Sequence, residues 1–320
     1  MNDVFARIRS AAARVAARAR HVRIDDAGLA RLCELLAASS LEAGPADPAH
    51  RPFADPAHTL AFVVTLDAVN FGSGWFPWLR KPGGRSGYFT VASALRAHFE
   101  ARGAWDAAEL QRLTALDLSR LLGQEGAGPA IDELMALYAR ALQDLGRHLA
   151  RRHGASFERL VDAAAGRAAA LVEELAEMPF YRDVASYEGE EIPFYKRAQI
   201  TVSDLASAFG GAGFGRFEDR DRLTIFADNL VPHVLRLEGV LAYDPALLAR
   251  IDAGQEITSG SREEVEIRAV ALHAVERCVT HLRDAGRDAR AEQLDHWLWN
   301  RGQRPEMKAH PRHRSRTVYY

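Results

Sequence analysis

The chain has 320 residues, 48% hydrophobic and 26% charged, with a net charge of −2 and a pI near 6.6. That composition suits a globular domain with a large core and lacks the overall basic balance of a nucleic-acid binder. No apolar run approaches the ~20 residues that span a bilayer, and the two cysteines, Cys33 and Cys278, sit in apolar helical patterns, as buried thiols of a reducing compartment do.

The first stretch is Arg-rich and amphipathic, like a transit peptide, but it has no continuous apolar core of the secretory kind. Phe5, Ile8, Ala12, Val15 and Ala19 share one helical face, which predicts the first helix of the fold. Asp25 or Asp26 caps a second helix that carries Leu29, Leu32, Leu35 and Leu36. Residues 42–58 read as a loop with Gly44, Pro45, Pro48, Pro52 and Pro56, and His50 lies inside it. Thr59 to Val69 fits either a buried helix or a strand. Aromatics and glycines then alternate through Asn70–Trp78, either as a stacking wall for a flat ring or as cover for the core edge. A helix with Val91, Leu95 and Phe99 inward stops at Gly103. Residues 104–130 hold a short helix and a break at Gly123, Gly126 and Gly128. A long helix follows over about 131–153, with another over roughly 156–177. Tyr187 to Glu191 is a turn.

The most informative stretch runs from Phe194 to Leu235. It opens on Lys196 and Arg197, continues as a helix with Ala198, Val202, Leu205 and Phe209 inward, and breaks at Gly210, Gly211, Gly213 and Gly215. An acidic turn with Asp219 and Asp221 leads to the apolar run that holds Asp228. Beyond it, Pro232 starts a short helix, Asp244-Pro245 opens another, and Ser261 to Glu264 is a capping box for a long helix. Gln293 to Trp299 is a helical aromatic segment. Strands do not alternate with helices. The expected fold is mainly α, one compact multi-helix domain over 1–320 with room for a small β-sheet.

Three chemistries are worth weighing. A phosphate cradle at Gly210–Gly215 needs a strand before the glycines and a helix after them, but here a helix precedes and acids follow. A helix-hairpin-helix grip on nucleic acid is opposed by Glu218 and Asp219. The third is hydrolysis centred on a carboxylate. Asp228 lies among Ile225, Phe226, Leu230 and Val231, and a carboxylate in an apolar setting needs a partner. The plainer reading of Asp228 is a helix cap or an ion pair with an arginine. For metals, no CxxC or His/Cys cluster has zinc spacing, and His310 and His313 are merely close together in a basic tail.

These residues also carry a family likeness. F-Y-K-R-A-Q-I at 194–200, F-x-D-x-x-x-L-T-x-F-A-D at 217–228, V-P-x-V-L at 231–235, E-V-E-I-R at 264–268 and L-D-x-W-L-W at 294–299 resemble the queuosine salvage proteins, which are queuosine 5′-phosphate N-glycosidases. Shorter matches are V-N-F at 69–71, S-G-Y at 86–88, H-G-x-S-F at 153–157, Y-R-D at 181–183 and H-R-x-R-x-x-Y-Y at the end. Two departures stand out: Asn229, where the family usually has Tyr, and the Gly-rich loop after Phe71.

The resemblance implies a largely helical fold and cleavage of queuosine 5′-monophosphate to queuine and ribose 5-phosphate, with queuine then used for tRNA modification. It implies no metal and no organic cofactor, a small-molecule substrate, no membrane, no direct nucleic-acid partner and a cytoplasmic protein. Asp228 is the expected catalytic carboxylate, on the sugar face of an oxocarbenium-like state, with Asp219 as the alternative. Lys196 and Arg197 are expected at the 5′-phosphate with help from His50. Asp219, Asp221 and Asp295 are expected to accept from ring N–H groups, and Phe71, Phe226 and Trp299 to stack. The competing readings are a hydrolase of a related nucleoside or nucleotide, and a non-catalytic module that binds a modified base or tRNA.

Overall fold

A computed structural model describes residues 3–41 and 47–320; Gly44 and Pro45 of the expected loop lie outside them. The described residues form fifteen α-helices and two antiparallel two-stranded sheets, a mainly α architecture as the pattern predicts. None of these helices is long and apolar enough to cross a membrane. The chain divides into two compact units, each assembled from separated segments.

The first unit comprises Met1–Gly44, Asp183–Lys196 and Asp221–Arg316. Its spine is the helix Arg262–Asp284, which buries Val265, Leu272, Val275, Val279 and Leu282. Helices Val4–Arg18 and Asp26–Ala37 pack on it. Asp25, rather than Asp26, is the cap: its carboxylate accepts the Gly28 N–H. Leu29, Leu32 and Leu36 face inward, but Leu35 is 38% exposed, because it lies about a quarter of a turn off the 29–32–36 stripe. Cys33 and Cys278 are both buried and bring their sulfurs to 2.8 Å as free thiols, joining two of these helices.

The room left for a small sheet is taken by two strand pairs, whose positions the sequence did not give away. Val22–Ile24 pairs with Leu241–Tyr243, and Val184–Tyr187 forms a hairpin with Glu190–Pro193. The hairpin turns on Glu188 and Gly189, both with positive φ (50° and 83°), as a two-residue connection requires. Glu266 ties this side of the unit together. One carboxylate oxygen accepts the N–H groups of Arg20, His21 and Val22, and the other accepts the Tyr187 hydroxyl at 2.8 Å.

The second unit comprises Pro45–Arg182, Arg197–Arg220 and Thr317–Tyr320. Its central helix, Pro129–Arg152, buries Leu134, Tyr138, Leu142, Leu145 and Leu149 along one face. Helices Ala107–Arg112, Ala115–Leu121 and Pro56–Ala68 pack against it. The ambiguous run at 59–69 is therefore a helix. Asp55 caps it and Pro56 occupies its first turn, so it begins inside the expected loop, and every residue from Thr59 to Ala68 is buried. A helix apolar all round gives no periodicity to read.

The single helix expected over 156–177 is in fact two, Phe157–Asp162 and Ala168–Leu175. Between them Ala165 and Gly166 take positive φ (49° and 72°), which ends the first helix, and Asp219 supplies acceptors for the start of the second.

Candidate active site: a carboxyl pair before a short helix

Asp228 lies just ahead of helix Val231–Leu237. Its Oδ1 accepts the N–H groups of Leu230 at 2.7 Å and Val231 at 3.0 Å. The plainer sequence reading is thus present: Asp228 satisfies donors at a helix start. Both bonds use the same oxygen, however. Among the described residues, Oδ2 has no hydrogen-bond donor.

The backbone around Asp228 is pinned on three sides. The Phe226 N–H donates to Asp295 Oδ1 at 2.8 Å, Arg268 Nε donates to the Ala227 carbonyl at 2.9 Å, and the Asn229 amide reaches the His313 carbonyl at 3.4 Å. Arg268 also makes a two-point pair with Asp183 (3.0 and 2.6 Å), with both side chains about 2–3% exposed, and its guanidinium lies 3.9 Å from the Phe194 ring centre. Asp183 in turn accepts the Lys196 N–H at 3.1 Å, and its carbonyl accepts the N–H groups of Phe194 and Tyr195. Tyr195 has φ of 46°, a left-handed conformation that costs a non-glycine residue energy and that these bonds hold in place. One buried Arg–Asp pair therefore sets both the backbone before Asp228 and the position of Lys196.

Asp295, on helix Ala291–Gly302, supplies the second carboxyl group. It is 3% exposed. Burial pushes it up to about 8, the charge on Asp228 adds to the rise, and the Phe226 N–H and Lys196 oppose it. At neutral pH Asp295 therefore holds a proton and can donate a hydrogen bond. The sequence reading had cast it only as an acceptor. Lys196 is 5% exposed, and its charge acts on Asp295. Phe226 is buried with its ring 6.1 Å from His296, and Trp299 lies half-buried one helical turn beyond Asp295. Arg312 is exposed by area, yet protein crowds its guanidinium enough that burial lowers it from the ordinary arginine value, with Asp228 opposing the drop.

The first unit thus gathers Asp228, Asp295, Phe226 and Lys196, with Trp299 on the helix of Asp295, and it leaves Asp221 exposed on a 3-10 turn. In the second unit the expected site residues have other partners. Arg197 is 1% exposed. It donates to the carbonyls of Asp67, Ala68 and Phe180, and its guanidinium lies 4.9 Å from the Phe71 ring centre and 4.7 Å from that of Tyr181. Phe71 is buried under it and against the edge of Tyr138. Asp219 accepts from Ala168 at 2.6 Å with one oxygen and from Ala169 at 3.1 Å with the other. His50 is hydrogen-bonded to the Tyr88 hydroxyl at 2.7 Å, and burial lowers its pKa, so the ring is neutral at pH 7.

Sequence reasoning passed over Asp183, Arg268 and Arg312 as site residues. The first two lie in the Y-R-D and E-V-E-I-R motifs, a signal that was available; Arg312 lies one residue before the terminal motif. It also missed His148, His153 and Glu174, whose ligand-type atoms lie within 4.8 Å of one another.

Comparison with known proteins gives a consistent picture. The family described as queuosine salvage protein matches residues 50–320. A relative from Sphaerobacter thermophilus, named queuosine 5′-phosphate N-glycosylase/hydrolase, is 39% identical over 96% of this chain and 95% of its own length. Proteins of the same name from Mus musculus (31% identical, 98% of each chain) and Dictyostelium discoideum (32%, 82% of this chain and 78% of the relative) are also similar.

Proposed function

The chain belongs to the queuosine salvage protein family, and from that membership we propose that it hydrolyses the N-glycosidic bond of queuosine 5′-monophosphate, releasing queuine and ribose 5-phosphate. The observation that carries the chemistry is the pair Asp228 and Asp295: two neighbouring carboxyl groups in unlike settings, one with an oxygen free of protein donors and one that keeps its proton near neutrality.

The roles follow from the charges that develop. As the bond from C1′ to the base nitrogen lengthens, its electron pair leaves with the base and positive charge builds on the sugar. Asp228 stabilises that charge through Oδ2, while the Leu230 and Val231 N–H groups fix the carboxylate by Oδ1. Water adds to C1′ and gives its proton to Asp228. The base needs a proton in return, and in a 7-deazapurine position 7 is carbon, so the proton must go to another acceptor on the ring. Asp295 supplies it and is reprotonated from solvent. Phe226 and Trp299 offer flat surfaces to the base. Lys196 and Arg312 supply the positive field for the 5′-phosphate, a task that Arg197 is poorly placed to share, since its guanidinium is committed to backbone carbonyls.

The direct test incubates the purified protein with queuosine 5′-monophosphate and follows free queuine by mass spectrometry, alongside Asp228→Asn. Wild type should release queuine, and the variant should turn over on the order of 10²–10³ slower with its fold intact, because Asn can still accept at the helix start. Equal release by both proteins would move the catalytic carboxylate elsewhere. Release by neither would overturn the substrate.

A further inference from the structure

We propose that His148, His153 and Glu174 form a binding site for a single zinc ion, separate from the carboxyl pair and set within the second unit. The two histidines stand at the end of helix Pro129–Arg152, His148 in its last turns and His153 as its cap, and Glu174 lies on helix Ala168–Leu175. His148 Nε2 is 3.0 Å and His153 Nε2 is 2.9 Å from the same oxygen, Oε1 of Glu174. Atoms bound to one zinc at about 2.0–2.1 Å stand roughly 3–3.5 Å apart, so these spacings are close to those of a shared tetrahedral ion. Two imidazole nitrogens and one carboxylate oxygen are a donor set that zinc accepts, with a position left for water.

A second observation separates this arrangement from an ordinary ion pair. His148 is 8% exposed, and despite its 3.0 Å approach its Nε2 lacks hydrogen-bond geometry to any partner among the described residues. A buried ring nitrogen aimed beside a carboxylate oxygen rather than along a bond to it suits two ligands that converge on a third atom. His153 is 6% exposed, and its ring centre lies 5.2 Å from that of His148.

Arg152 is the competitor. It donates to both oxygens of Glu174, at 2.8 and 2.9 Å, but its side chain is 50% exposed and can swing into solvent. The metal would replace one cation on Glu174 by another of higher charge. Its effect would be structural. It would staple the long central helix to the helix that follows the break at Ala165–Gly166, whose first N–H groups Asp219 accepts.

The test uses the full chain, stripped with a chelator and titrated with Zn²⁺ by calorimetry and with Co²⁺ by absorption spectroscopy. One ion per chain is expected, with the visible bands of cobalt held by nitrogen and oxygen in fewer than six positions. Zinc should also raise the unfolding temperature as its concentration passes the dissociation constant. His148→Ala/His153→Ala should weaken binding at least tenfold, and Glu174→Gln should weaken it while preserving shape. Arg152→Ala should tighten binding severalfold, which an ion-pair network without metal does not predict. Equal zinc affinity in wild type and the double variant would place the ion elsewhere and overturn the site. So would failure of both wild type and Arg152→Ala to bind zinc or to give the cobalt bands, and that measurement decides the matter even if the double variant does not fold.

Discussion

Asp219 and Asp228 look alike in the sequence, each an aspartate in the stretch after the glycine cluster, and both accept two backbone N–H groups. They differ in how they do it. Asp219 spends one oxygen on Ala168 and the other on Ala169, so the whole carboxylate serves a helix start some fifty residues earlier in the chain. Asp228 places both of its bonds on Oδ1, and among the described residues Oδ2 has no donor; a second carboxyl group that holds a proton lies beside it. Capping uses up the first carboxylate and merely orients the second. The contrast shows that two hydrogen bonds to a carboxylate do not by themselves separate a structural role from a chemical one; the oxygen left over does.

The surroundings extend the contrast, and the largest predicted effect lies there. Asp228 is positioned by the buried Arg268–Asp183 pair through the Ala227 carbonyl. Arg268→Leu strips the counter-charge from a buried Asp183 and should cost on the order of 3–5 kcal/mol in denaturant unfolding. Asp183→Asn/Arg268→Leu should recover part of that loss, since buried Glu264, 3.6 Å from the guanidinium, still loses its cation, but not the activity, because the Ala227 carbonyl and the Lys196 backbone stay loose. A double variant with wild-type turnover would show that Asp228 needs no such frame.

Next comes the proton on Asp295. Its folded value of about 8 lies above the ordinary 3.8, so between those limits the folded chain holds a proton that the unfolded chain releases. Stability therefore falls as pH rises from about 4 to about 8, by an amount on the order of a few kcal/mol. Asp295→Asn keeps an acceptor for the Phe226 N–H but removes the titration, so its stability should be flatter over that range. The wild-type rate should fall as pH rises through about 8, and the variant should lose both that fall and on the order of 10² in kcat. An unchanged alkaline limb in the variant would take the proton away from Asp295. A smaller effect is expected at Arg312, where Arg312→Ala should raise KM for the 5′-phosphate by roughly tenfold and leave the free nucleoside little changed, since one charge-assisted contact is worth about 1.5–3 kcal/mol.

How much of this was legible in the sequence depends on the range of the interaction. Caps and apolar stripes are local, and they located the helices at 4–18, 129–152, 196–208 and 262–284 to within a few residues. The run at 59–69 stayed ambiguous because a helix buried on all sides has no polar face to set its period. The break at Ala165–Gly166 was hidden because alanine rarely takes a positive φ and the acceptor for the next helix, Asp219, is remote in the chain. At the site, Asp228 could be read from its apolar neighbours, but its environment could not. The protonated state of Asp295 arises from burial and from a charge 67 positions away, and Arg268 reaches the Ala227 carbonyl across 41 positions. Arg197 shows the converse error. A conspicuous cation beside Lys196 suggested a phosphate ligand, whereas its guanidinium is turned to the carbonyls at the end of helix Pro56–Ala68.

The smallest predicted effect bears most directly on the opening contrast. Asp219→Ala removes both acceptors from the start of helix Ala168–Leu175 and should cost about 1–2 kcal/mol of stability, the usual price of a lost cap, without slowing turnover below the melting range. Asp219→Asn should lose less, since its amide oxygen still accepts one of the two N–H groups. The two substitutions thus grade the capping role by the number of acceptors left, and the rate should follow neither. If queuine release instead fell in step with both, Asp219 would touch the reacting atoms as well as the helix. The distinction between one leftover oxygen and none would then fail as a guide to which aspartate does the chemistry.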